Sequence, residues 1–141
     1  MIEPVIFNVA GESATQSGMR GVLIGGGRMR LISTGGKSLA FWRQRIASEA
    51  QRAMGGRELL AGPLVLEAVF SLPRPKSRRA GDHYPDRQPD LSKLVRALED
   101  ALSGVVYGDD AQLVDERVSK RYAGDLGGTA APGVTVLVRG A

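Results

Sequence analysis

The chain has 141 residues, with 19 Lys and Arg against 15 Asp and Glu and a formal net charge of +4. That length suits one domain with a real core, and the mild basic excess suits a polyanionic partner. There is no cysteine and a single histidine, His83, which excludes disulfides, thiolate zinc sites and multi-histidine metal centres.

No apolar run approaches the length of a membrane span, and the opening Met-Ile-Glu-Pro lacks the basic start and apolar core of a signal peptide. The expectation is a soluble, cytoplasmic protein with no membrane partner. A first strand is expected over residues 4–9, where Val5, Phe7 and Val9 alternate with smaller or polar neighbours. A Gly-, Ser- and Arg-rich stretch follows, with short strands at residues 22–24 and 29–32. Gly35-Gly36-Lys37-Ser38 has the setting of a phosphate-binding loop, but the glycine required five residues before Gly36 is Leu31. A helix start capped by Ser38 is the favoured reading. The helix over 38–54 carries Leu39, Trp42, Ile46, Ala50 and Ala53 on one stripe and stops at Gly55-Gly56. Residues 64–72 form the clearest strand, apolar on both faces and so expected at the centre of a sheet.

Pro73-Arg74-Pro75-Lys76-Ser77-Arg78-Arg79 is a basic loop stiffened by proline, suited to phosphate contacts and leading to His83. A second helix runs from Asp90, with Leu91, Leu94, Val95, Leu98 and Leu102 on one stripe. On a wheel of about 100° per residue, Ser92, Arg96 and Glu99 share another face, with Asp100 at its edge. Asp90 is a natural helix cap and Asp109-Asp110 natural turn residues. If the chain doubles back, however, carboxylates from both ends of the helix meet beside a basic side chain, which is how a hard divalent cation and a phosphate are brought together. Two more strands, over 113–121 and 134–138, complete a single α+β domain over residues 1–141, a mixed sheet covered by two main helices.

The order Asp90-Leu91, Asp100-Ala101-Leu102, Asp109-Asp110-Ala111-Gln112 resembles the signature of the RusA family of Holliday-junction-resolving endonucleases. Two positions depart from it. The family's second aspartate is Ser92 here, and its helix lysine is Arg96, with Lys93 a near neighbour. The resemblance implies a RusA-like fold working as a homodimer on branched DNA such as a four-way junction, in recombination and repair. It further implies Mg²⁺, with Mn²⁺ able to substitute, held by Asp90, Asp109 and Asp110. Asp90, Arg96 and Asp110 are expected at the catalytic positions, with Glu99 added by helix geometry rather than by the resemblance, and Arg96 acting electrostatically because arginine does not shed its proton. DNA contacts are expected from Gly18, Arg20, Arg74, Lys76, Arg78, Arg79 and Lys93. Glu99 lies seven residues after Ser92, about 20° around the helix and about 10 Å along it, and is the candidate replacement carboxylate. A protein that keeps the fold and binds branched DNA with weakened cleavage is the alternative, supported by Ser92.

Overall fold

The computed structural model describes residues 2–15, 19–33, 36–79 and 81–141, with the backbone alone for 19–25 and 28–33. In chain order the elements are β1 (Val5–Ala10), β2 (Met19–Ile24), β3 (Arg28–Ser33), α1 (Gly36–Met54), β4 (Leu64–Leu72), α2 (Leu91–Leu102), β5 (Leu113–Tyr122) and β6 (Gly133–Gly140). Four strands make one mixed sheet in the order β1-β6-β4-β5, while β2 and β3 pair as a separate antiparallel hairpin. β4 is central as its apolar sequence requires, antiparallel to β6 and parallel to β5. A parallel neighbour demands a long crossover, and α2 supplies it.

Alternation along β4 puts Leu64, Leu66, Ala68, Phe70 and Leu72 into the core, where Val5, Phe7 and Val9 of β1 and Val134, Val136 and Val138 of β6 join them. α1 adds Trp42, Ile46, Ala50 and Met54, spaced one turn apart on a single stripe. α2 adds Leu94, Leu98 and Leu102, all buried. Each is worth about 1.5–3 kcal/mol relative to exposure, so the buried stripe fixes the rotation of α2 and with it the direction of its polar flank. At its C-terminus Gly104 takes φ 82, a conformation costly for other residues, and turns the chain back towards β5. Buried Val106 and Tyr107 hold that return, with the Leu60 amide donating to the Val106 carbonyl. Close approach of β1 to β6 likewise needs Gly133, where a Cβ would sit against the Val9 carbonyl.

The α+β class, the central strand and the two covering helices stand as the sequence reads. Two local readings are corrected. α1 begins at Gly36, so Ser38 lies inside the first turn rather than capping it. Gly35, part of the rejected phosphate loop, lies outside the described residues. Asp90 precedes α2, but its side chain makes no capping bond. Its backbone carbonyl accepts from the amides of Lys93 and Leu94, and its carboxylate stands 3.9 Å from the Lys93 ammonium.

Candidate functional site

β5 pairs with β4 in a register that opposes Leu66 to Glu116, Ala68 to Val118 and Phe70 to Lys120. Since paired residues share a face, Glu116, Val118 and Lys120 all look towards the helices. α2 lies along this row with the opposite chain sense. At its N-terminal end the Lys120 ammonium donates to the carbonyls of Arg87 at 2.7 Å and Pro89 at 3.0 Å, immediately before Asp90. At its C-terminal end the Glu99 carboxyl meets Glu116.

Burial first, and then the hydrogen bond shared with Glu116 and the charges of Glu116, Asp110 and Asp100, push Glu99 up to about 8. The Tyr107 phenol is also raised, by burial and then by the charges of Glu99 and Asp110. Its hydroxyl donates to the Glu99 carbonyl at 3.2 Å. Glu99, Glu116, Tyr107 and Asp110 are therefore one electrostatic neighbourhood. Arg96 is exposed on the same flank of α2 as Glu99, and Ser92 is exposed nearer the N-terminus.

Asp109 and Asp110 follow in a short 3₁₀ turn, Asp110–Gln112. Asp109 Oδ1 accepts from the Ala111 amide at 2.9 Å, so Asp109 is committed in part to turn chemistry. Gln112 closes the same turn: its Oε1 accepts from the amides of Gly108 and Asp109, and its Nε2 donates to the carbonyls of Leu60 and Gly62. That ties Asp110 to the start of β4. Asp90 lies at the far end. The twelve residues of α2 rise about 18 Å at about 1.5 Å per residue, so the two carboxylates that the doubling-back chain was expected to unite stand apart within one chain. Among the described residues no three acidic or histidine side chains gather as a cage for a metal ion.

The basic loop divides its cations. The Arg74 guanidinium donates to the carbonyls of Arg79 and Asp82 and to Asp125 at 2.8 Å, and lies 4.5 Å from the Tyr122 ring centroid. The Arg78 side chain is 10% exposed; it donates to the Tyr122 hydroxyl, the Tyr84 carbonyl and Asp86. Asp125 also accepts from His83, and is held below the usual carboxylate range by the Leu126 amide and then by His83. Arg74 and Arg78 thus fold the loop onto the end of β5, while Lys76 and Arg79 are exposed. Lys93 faces Asp90 across one helical turn. Gly18 lies outside the described residues, and Arg20 is described only as part of the β2 backbone. Sequence reasoning passed over Glu116, reads Lys120 only as positive charge on a strand, and passed over Tyr122 and Asp125. Alternation along β5 was the available signal for the first two, but their register against β4 was not available.

An α+β protein with exposed carboxylates and a cationic rim has the make-up of one that handles phosphodiesters. The family model described as Endodeoxyribonuclease RusA matches residues 24–136, and the chain belongs to that family of nucleases, whose type is the Holliday junction resolvase. It is also similar to the uncharacterized protein YqaN of Bacillus subtilis (strain 168), 28% identical over 143 residues that cover 94% of each chain. No helix among the described residues is long and apolar enough to cross a membrane. Exposed aspartates, with no cysteine and one histidine, are hard oxygen donors that fit Mg²⁺ rather than a thiophilic cation. Each end of α2 offers part of such a set.

The Glu99 proton has a consequence for stability. The folded chain keeps it up to about 8, whereas an unfolded chain releases it near 4.5. Proton binding thus favours folding below that window, and stability falls as pH rises through it. Without divalent cations, the melting temperature of Glu99→Gln should decline less than that of the parent between pH 6 and pH 9; parallel curves would refute the shared proton. Arg78→Ala, which removes the partner of the Tyr122 hydroxyl and the Tyr84 carbonyl, should lower the midpoint of denaturant unfolding. The double variant Lys76→Ala/Arg79→Ala should unfold like the parent, and an equal loss in both would contradict the division of the loop.

Proposed function

We propose that the protein is a divalent-metal-dependent endonuclease that resolves four-way DNA junctions as a homodimer, with each active site assembled from two chains. The separation of Asp90 from Asp110 by the length of α2 carries this reading. One chain presents Asp90 at one end of the helix and Asp110 with Glu99 at the other. Two copies packed about a two-fold axis with antiparallel α2 helices bring unlike ends together twice, because an isologous contact pairs each residue with its counterpart in both directions. Two equivalent sites then face two opposed strands of a junction.

In each site Asp90 of one chain and Asp110 of the other hold the cation, with the uncommitted oxygen of Asp109 beside them. A bound Mg²⁺, or Mn²⁺ in its place, supplies charge neutralisation at the scissile phosphate and a water of lowered pKa. Glu99 stands beside Asp110, so in this arrangement it faces the partner's Asp90–Ser92 end. There it gives up the proton it holds with Glu116 when a cation binds, and the freed carboxylate takes the place that Ser92 leaves. Arg96 stabilises negative charge that develops on the phosphate and takes no part in proton transfer. Lys76, Arg79 and Lys93 supply phosphate contacts on the rim, and Arg74 and Arg78 act through loop shape. A second reading, favoured by Ser92 alone, is a branched-DNA-binding protein of this fold without cleavage.

A labelled four-way junction incubated with the protein and Mg²⁺ or Mn²⁺ separates the two. Paired, symmetric nicks are expected, and Asp90→Asn or Asp110→Asn should each lower the rate by at least about 100-fold while junction affinity stays within a factor of about three. Bound but uncut junction at every metal concentration would favour the second reading, and cutting by Asp110→Asn at the parent rate would remove that residue from the site.

A further inference from the structure

We propose that Tyr84 is a stacking platform for an unpaired DNA base, placed on a strap that leads directly to Asp90. This rests on the branched-DNA reading above and adds a contact of a different kind, to a base rather than to the phosphate backbone.

Three observations place the ring. Tyr84 is 68% exposed, and among the described residues every other Phe, Tyr or Trp ring is buried except that of Phe41. Its backbone is fixed, because its carbonyl accepts from Arg78 Nη2 at 3.1 Å and from the Asp86 amide at 2.9 Å. Its ring has a cation on one side, with Arg121 Cζ 5.5 Å from the centroid. Arg121 is itself held: its Nη1 donates to the Lys120 carbonyl at 3.0 Å, and its Nε lies where a Cβ on Gly127 would be only 3.3 Å away. The next residue back, Lys120, ties down Arg87 and Pro89. Consecutive residues of the edge strand β5 therefore fasten the segment from Tyr84 to Pro89 at both ends.

An aromatic ring ordered before binding loses little freedom when a flat partner stacks on it, and a guanidinium over one face leaves the ring complementary to a nucleobase. The exposed charged neighbours in and beside the segment are Arg79, Asp86 and Arg87, and Asp86 is paired with Arg78 at 2.8 Å, which leaves a net positive charge. That charge disfavours a second copy of this positive patch and favours a polyanion. Asp90 follows Tyr84 by six residues, a reach of at most about 22 Å. A base extruded at a branch point could therefore rest on Tyr84 while a phosphate a few nucleotides away lies at the carboxylates. Unpaired bases cost least to extrude at a branch, so such a contact would select branched over continuous duplex.

The test compares two DNA duplexes that differ at one place, an unpaired adenine in one and an abasic residue in the other, by fluorescence anisotropy without divalent cation. The parent should prefer the adenine by roughly 5- to 150-fold, the range that one base–aromatic stack is worth. Tyr84→Phe should keep that preference, and Tyr84→Leu should bind both duplexes equally while melting at the parent temperature. A preference retained by Tyr84→Leu, an equal loss on both duplexes, or no preference in the parent would overturn the proposal. A change in sedimentation of the dimer caused by Tyr84→Leu would instead assign the ring to an interface. Junction cleavage in Mg²⁺ is scored separately. Base preference without cutting sinks the nuclease reading alone, and cutting without base preference sinks the stacking alone.

Discussion

Lys120 donates to two backbone carbonyls just before Asp90, and four residues earlier on the same face of β5 Glu116 meets Glu99. These two contacts pin α2 against the edge of the sheet with a defined direction and register. The buried stripe of Leu94, Leu98 and Leu102 settles which side of the helix faces the core, and the polar flank bearing Ser92, Arg96 and Glu99 follows from it. Shifting α2 by one turn would separate Glu99 from Asp110 and release the strap before Asp90. The site depends on this apposition more than on any single carboxylate.

Much of the architecture was legible because it rests on periodicity. β4 repeats every two residues and both helices every three or four, so their extents and buried faces follow from the sequence. Asp90, Arg96, Glu99 and Asp110 were legible as candidates through spacing and resemblance. Their mutual placement was not. A helix followed by a turn and a strand returns the chain to the helix's own C-terminal end, so Asp110 lands near Glu99 and far from Asp90. Reading the return as a meeting of both ends overlooked the length of α2. Asp90 also departed from propensity: a cap residue by type, it leaves its carboxylate out of the helix ladder.

The basic loop shows why charge counts mislead about function. Four cations in seven residues read as one phosphate-binding run. Two of them, Arg74 and Arg78, are consumed in building the loop, because carbonyls and the Tyr122 ring offer bidentate and stacking partners that a guanidinium matches. The cost of ordering a long polar segment is offset by these contacts, and what remains exposed is Lys76, Arg79 and the ring of Tyr84. The order imposed by Arg74 and Arg78 keeps those groups in a fixed relation to α2.

The central claim is that the carboxylates at opposite ends of α2 work together only across two chains. Mixing Asp90→Asn and Asp110→Asn proteins, each inactive alone, tests this most directly. A mixed dimer assembled in trans contains one site with both aspartates and one with neither, so junction cleavage should reappear as single-strand nicks at a substantial fraction of the parent rate. If the site lay within one chain, every chain in the mixture would carry a defect, and no mixing ratio would restore cutting.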